Sequence, residues 1–82
     1  MILVEIEVPV MEKTYDFQID ENSQIYKVIQ EVENMICIKE QFPLGGNRGV
    51  ATLWDAKSRQ RIPMDKTAGE VGIKNGWKLI FV

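Results

Sequence analysis

Few residues of this chain could do chemistry, and their spacing does not favour it. There is no histidine and a single cysteine, Cys37. A thiol or hydroxyl nucleophile needs a base to take its proton, so no Cys–His or Ser–His pair can form. Cys37 falls late in an apolar-periodic segment, where a small core or boundary residue is the expected role. One thiol also excludes an internal disulfide and any zinc or iron–sulfur site built from several thiolates. Glu5 and Glu7 alternate with aliphatics in ILVEIEV, the pattern of solvating charges on a sheet face and not of an acid and a base in a cleft. The run GGNRG (45–49) lacks the Lys-Ser/Thr that completes a phosphate cradle, and the helical pattern precedes it when it should follow. Lys57, Arg59 and Arg61, with Arg48, read as a solvated basic turn. No catalytic residue, metal site or cofactor is expected.

The totals point the same way. Hydrophobic residues make up 45% and charged residues 27%, the balance of an ordinary globular chain. A net charge of −2 supplies no general attraction to nucleic acid or to an anionic membrane. No apolar run approaches the roughly 20 residues of a membrane helix. The amino terminus opens directly on a strand pattern, with no basic segment ahead of an apolar one, so no signal peptide and a cytoplasmic location are expected. The 82 residues are read as one domain, 1–82, with no repeat or linker.

The periodicities give the elements. ILVEIEVPV (2–10) alternates, with Ile2, Val4, Ile6 and Val8 on one face and Leu3, Glu5 and Glu7 on the other, until Pro9 ends the ladder. MEKT (11–14) turns the chain, and TYDFQID (14–20) alternates again with Tyr15, Phe17 and Ile19 inward, completing a hairpin. The period then lengthens. Ile25, Val28, Ile29, Val32 and Ile36 form one stripe of a helix expected over about 23–40, with Asn22 or Ser23 as cap, Glu21 at its positive end and Lys39 at its negative end, stopped by Pro43. A loop is expected at 43–49, a strand at 50–55, a polar turn at 56–61 and a short edge strand at 61–64. The connection 65–76, with Val71 and Ile73 plugging the core, leads into a last strand at 77–82. A helix on one face of a mixed sheet, with the first and last strands side by side, is an α+β β-grasp of strand order 2-1-5-3-4.

This pattern resembles the ubiquitin-like superfamily. The likeness lies in ILVEIEV, TYDFQID and IYKVIQEV, and in the closing Thr67-x-x-x-x-Gly72-Ile73-x-x-Gly76-x-x-Leu79. Within the superfamily, VEIEVP…TYDFQID, GIKNGWKL, the short length and the stop at Val82 are similar to the YukD/EsaB family. Those are tail-less bacterial proteins of the type VII (WXG-type) secretion systems of Gram-positive bacteria. FPLGGNRGVA (42–51) departs from that family. The resemblance implies a cytosolic accessory or regulatory component that binds protein partners in a secretion assembly and inserts in no membrane. A small non-catalytic subunit of a multicomponent diiron monooxygenase is the alternative, since some carry a β-grasp subunit of this size. Ubiquitin-type activation requires a flexible terminal glycine carboxylate. Here Leu44-Gly45-Gly46 is internal and Val82 is β-branched, so conjugation is not expected.

Strand parity then singles out one surface. With Leu79 and Phe81 facing the helix, Lys78, Ile80 and Val82 face away. With Leu53 inward, Trp54 faces away as well, and Leu3 joins from the first strand. Leu3, Trp54, Ile80 and Val82, flanked by Lys78, Glu5 and Glu7, are the expected protein-binding patch, on the face that ubiquitin offers its receptors. A register shift of one residue would instead bury Trp54 and expose Leu53.

Overall fold

A computed structural model describes residues 1–40 and 51–82. Strand β1 (Ile2–Val8) and strand β2 (Lys13–Ile19) form an antiparallel hairpin. Helix α1 (Ile25–Glu40) follows, then β3 (Leu53–Asp55), the four-residue helix α2 (Ala68–Val71) and β4 (Lys78–Phe81). The sheet order is β2-β1-β4-β3, with β1 and β4 parallel and β3 antiparallel to β4. The α+β class, the mixed sheet and the main helix are as the sequence predicts.

The expected strand at 61–64 does not form. Its pairing with the sheet is an isolated bridge from Arg61 to Trp54. The bridge consists of the Asp55 N–H to Gln60 carbonyl and Ile62 N–H to Leu53 carbonyl bonds, both 2.9 Å. Ile62 turns its side chain into the core, 3% exposed, and the chain then leaves β3, the Met64 carbonyl accepting from Tyr26 N–H instead. The expected order 2-1-5-3-4 thus loses its last member. The first strand ends at Val8, as Pro9 requires, and Pro9–Met11 winds into one 3-10 turn that Glu12 closes in the left-handed region, φ 52°. The loop 43–49, with Gly46 and Arg48, lies outside the described residues.

Helix α1 starts at Ile25, so Asn22 and Ser23 precede its cap position, Gln24. Its first N–H groups, the orphans of any helix start, are held by backbone. Ile25 N–H donates to the Lys66 carbonyl at 2.8 Å, and Tyr26 N–H to that of Met64 at 3.1 Å. In return, Ala68 and Gly69 N–H donate to the carbonyls of Ser23 and Glu21 at 3.1 and 2.8 Å. The segment 64–69 is therefore the clamp on the helix start. Thr67 and Glu70 complete a capping box for α2, and Gly72 accepts the left-handed φ of 88° that ends it.

The core lies between the sheet and α1. Ile25, Val28, Ile29, Val32 and Ile36 are all buried, and they meet Val4, Ile6, Leu53, Leu79 and Phe81 from the sheet. Burying each such side chain contributes about 1.5–3 kcal/mol. Ile2, Phe17 and Val71 are half-buried at the margin, while Ile73 is buried. Cys37 is half-buried on α1, packed against the core.

Candidate functional site

Among the described residues, the sheet has one face covered by α1 and one open. On the open face the register sets side chains in rows. Glu7 lies level with Ile80 across the parallel pair, and Ile80 lies opposite Trp54 across the antiparallel pair. One row away, Asp16, Glu5 and Lys78 are aligned. On the other side Val82 exchanges backbone hydrogen bonds with Thr52, 2.6 and 3.0 Å. Leu53 is fully buried, so Trp54 is turned outward and the shifted register is excluded.

Trp54 is half-buried and fixed. Its indole N–H donates to Thr52 Oγ1 at 3.0 Å, and that hydroxyl donates to the Val82 carbonyl at 3.2 Å. A side chain held in this way loses little entropy when a partner covers it. Trp54, Ile80 and Val82 form the floor of an open basin of about 570 Å³. Glu7 stands on its β1 side, while Lys78, Ala56 and Arg59 complete the lining.

The structure thus brings together four of the five predicted site residues: Trp54, Lys78, Ile80 and Val82. Leu3 is also outward and exposed, but it lies opposite Gln18, beyond the Glu5–Lys78 row, and does not line the basin. A register offset of two residues along β1 sets it apart. Arg59 and Ala56 are additions that the sequence reading assigned to a solvated turn. Asp55 builds that turn: its carboxylate accepts from Lys57 N–H and from Ser58 Oγ at 2.9 and 3.1 Å, and Arg59 N–H donates to its carbonyl at 2.7 Å with Arg59 left-handed at φ 61°. The signal was Asp-x-x-Ser, the pattern of a turn built on its own side chains. Val10, 79% exposed in the turn after β1, stands off the same end of the sheet as Val82, since β1 and β4 run parallel.

Among the described residues no group of three or more acidic or thiol side chains is placed to hold a metal ion, and no helix is long and apolar enough to cross a membrane.

No protein-family model and no curated protein sequence matches this chain. Solved structures do. A chain of the toluene 4-monooxygenase HD complex with the inhibitor 4-bromobenzoate superposes with a TM-score of 0.80 at 18% identity, covering 99% of this chain and 95% of that one. The solution structure of a ubiquitin-like domain from an Arabidopsis thaliana protein gives 0.69 at 12% identity, covering 99% and 74%. The fold is ubiquitin-like. At these identities the likeness extends to the fold, which serves many tasks.

Proposed function

We propose that this protein is a non-catalytic ubiquitin-like docking module, binding a protein partner through the open sheet face. The observation that carries the reading is the basin centred on Trp54 and Ile80. An aromatic anchor set among aliphatics, with charges at the rim, is the usual composition of a contact hot spot. The assembly it serves is the cytosolic side of a type VII secretion apparatus of Gram-positive bacteria, a reading supported by the resemblance of VEIEVP…TYDFQID and GIKNGWKL to the YukD/EsaB proteins. The second reading, a small subunit of a multicomponent monooxygenase, is favoured by the similarity to a chain of the toluene 4-monooxygenase complex over nearly its whole length.

The test is purification of the tagged chain from its own cells, with Trp54→Ala and Ile80→Asp in parallel. Co-purification of a membrane ATPase of the secretion machinery supports the first reading, and of hydroxylase subunits the second. Either partner should be lost from both variants while they remain folded. If both variants are folded and keep every partner of the parent, the open face is not the docking site.

A further inference from the structure

The charges on the open face are segregated. Asp16, Glu5 and Glu7 lie on the β2 and β1 side, and Lys78 and Arg59 on the β4 and β3 side; Lys78 is the direct neighbour of Glu5, while Ile80 and Trp54 separate Glu7 from the Arg59 edge. Of these charges, Lys78 and Glu5 alone are in register with one of opposite sign. Glu5 and Asp16 are placed directly opposite one another, an unfavourable pairing in a hairpin. Glu7 and Arg59 stand at the margins of the same basin, with the Ile80 and Trp54 strands between them.

We propose that this face also pairs with a second copy of itself, around a two-fold axis that runs along the strands between β4 and β3. The proposal rests on reading the face as a contact surface and adds the occupant that its charges fit. Rotation about that axis keeps every row at its own height and exchanges left for right. Ile80 of one copy then lies over Trp54 of the other, and Lys78 lies over Ala56. The acidic β1 strand lies over the basic edge beyond β3, Glu7 falling in the row of Arg61 with Arg59 beside it, and the same contacts recur by symmetry, as an isologous interface requires. A two-fold axis across the strands would instead stack acid on acid and base on base, so the charge pattern selects one dimer.

The footprint is small. β2 falls outside the overlap, which takes in β1, β4, β3 and the Arg61 edge; four such columns about 4.8 Å apart and three outward rows about 7 Å apart span roughly 400 Å² per copy, or about 800 Å² in total. That lies below the about 1,200 Å² of stable complexes, so the dimer is weak and yields to a tighter partner. It covers Trp54 and Ile80 until that partner arrives, and its opposed charges make it sensitive to salt.

The experiment is sedimentation equilibrium of the full chain up to about 1 mM at low and high salt, with Glu7→Arg and Arg59→Glu. Both positions are on the surface, and thermal unfolding confirms that each variant is folded. The parent should dimerise at low salt and dissociate as salt rises. Each variant alone sets like charges against each other twice and should weaken the dimer about tenfold or more. Mixed in equal amounts, the two variants should form a heterodimer, because each then supplies the charge the other lacks. A parent that remains monomeric throughout, or a mixture that associates no better than its components, overturns the proposal. The proposed docking function is tested separately: loss of the cellular partner from Trp54→Ala with no self-association of the parent would sink the dimer alone.

Discussion

Trp54 and Leu53 are adjacent in sequence and opposite in consequence. Leu53 and Leu79 are fully buried against α1, so Leu79→Ala should cost about 2–5 kcal/mol and leave a fold of this size close to unfolding at moderate temperature. Trp54 is half-buried and lies outside the core, so Trp54→Ala should cost no more than about 1 kcal/mol, while binding to the partner falls by about tenfold or more, the loss expected at an interface centre. Chemical denaturation of the two variants beside the parent measures the first quantity, and titration with the purified partner the second. A Trp54→Ala protein as unstable as Leu79→Ala would mean that the indole supports the fold and not an interface.

At the scale of elements, the segment 64–69 has the largest effect for its length, because it holds the start of α1 and also begins α2. Thr67 Oγ1 accepts from Glu70 N–H at 3.1 Å, and the Glu70 carboxylate accepts from Thr67 N–H at 2.9 Å. Thr67→Ala should therefore destabilise by about 1 kcal/mol, the usual cost of losing such a cap. The hydrogen bond from Thr67 N–H also holds the Glu70 carboxyl below the ordinary value of 4.5. A depressed folded value means that this contribution is present above about pH 4.5 and is lost as pH falls through the folded value. Glu70→Gln should accordingly make stability fall less steeply on that acid limb and leave its slope near neutrality unchanged. Urea midpoints measured across the acid range would show it, and an unaltered acid slope would argue that the carboxylate bond is not maintained in solution.

For the whole molecule, the parallel β1–β4 pair is the structural centre. Both strands have neighbours on each side, and their inward residues Val4, Ile6, Leu79 and Phe81 are all buried. Among the described residues, β3 has only the Arg61 bridge beyond it. Hydrogen exchange should be slowest at the β1 and β4 amides and clearly faster at the outer edge of β3, because local opening is easiest where few buried contacts must break. Amides of β3 that outlast those of β1 would contradict this order. The weak outer edge borders the basin, so the proposed docking face is stiff along Ile80 and more yielding toward Ala56 and Arg59.

Much of this molecule was legible in its sequence, because alternation and helical period report directly which side chains leave water. The inward sets of β1 and β4 and the stripe of α1 follow from Val4, Ile6, Leu79, Ile25, Val28 and Val32 without a structure. The outward position of Trp54 followed from the same parity, once Leu53 was taken as core. Tertiary structure decided what depends on distance across the sheet. It set Leu3 beyond the Glu5–Lys78 row, since parity fixes a face but not a height along the strand. It reduced 61–64 to one bridge, because the chain leaves β3 after Ile62 and the Met64 carbonyl accepts from the start of α1. It moved the hold on α1 from the side chains of Asn22 or Ser23 to the carbonyls of Met64 and Lys66, some forty residues away in sequence, where no local pattern announces them. It also brought Arg59 to the basin through a left-handed turn, and so placed the basic edge opposite Glu7. Local periodicity records burial one strand at a time, whereas register between strands is a property of the assembled sheet.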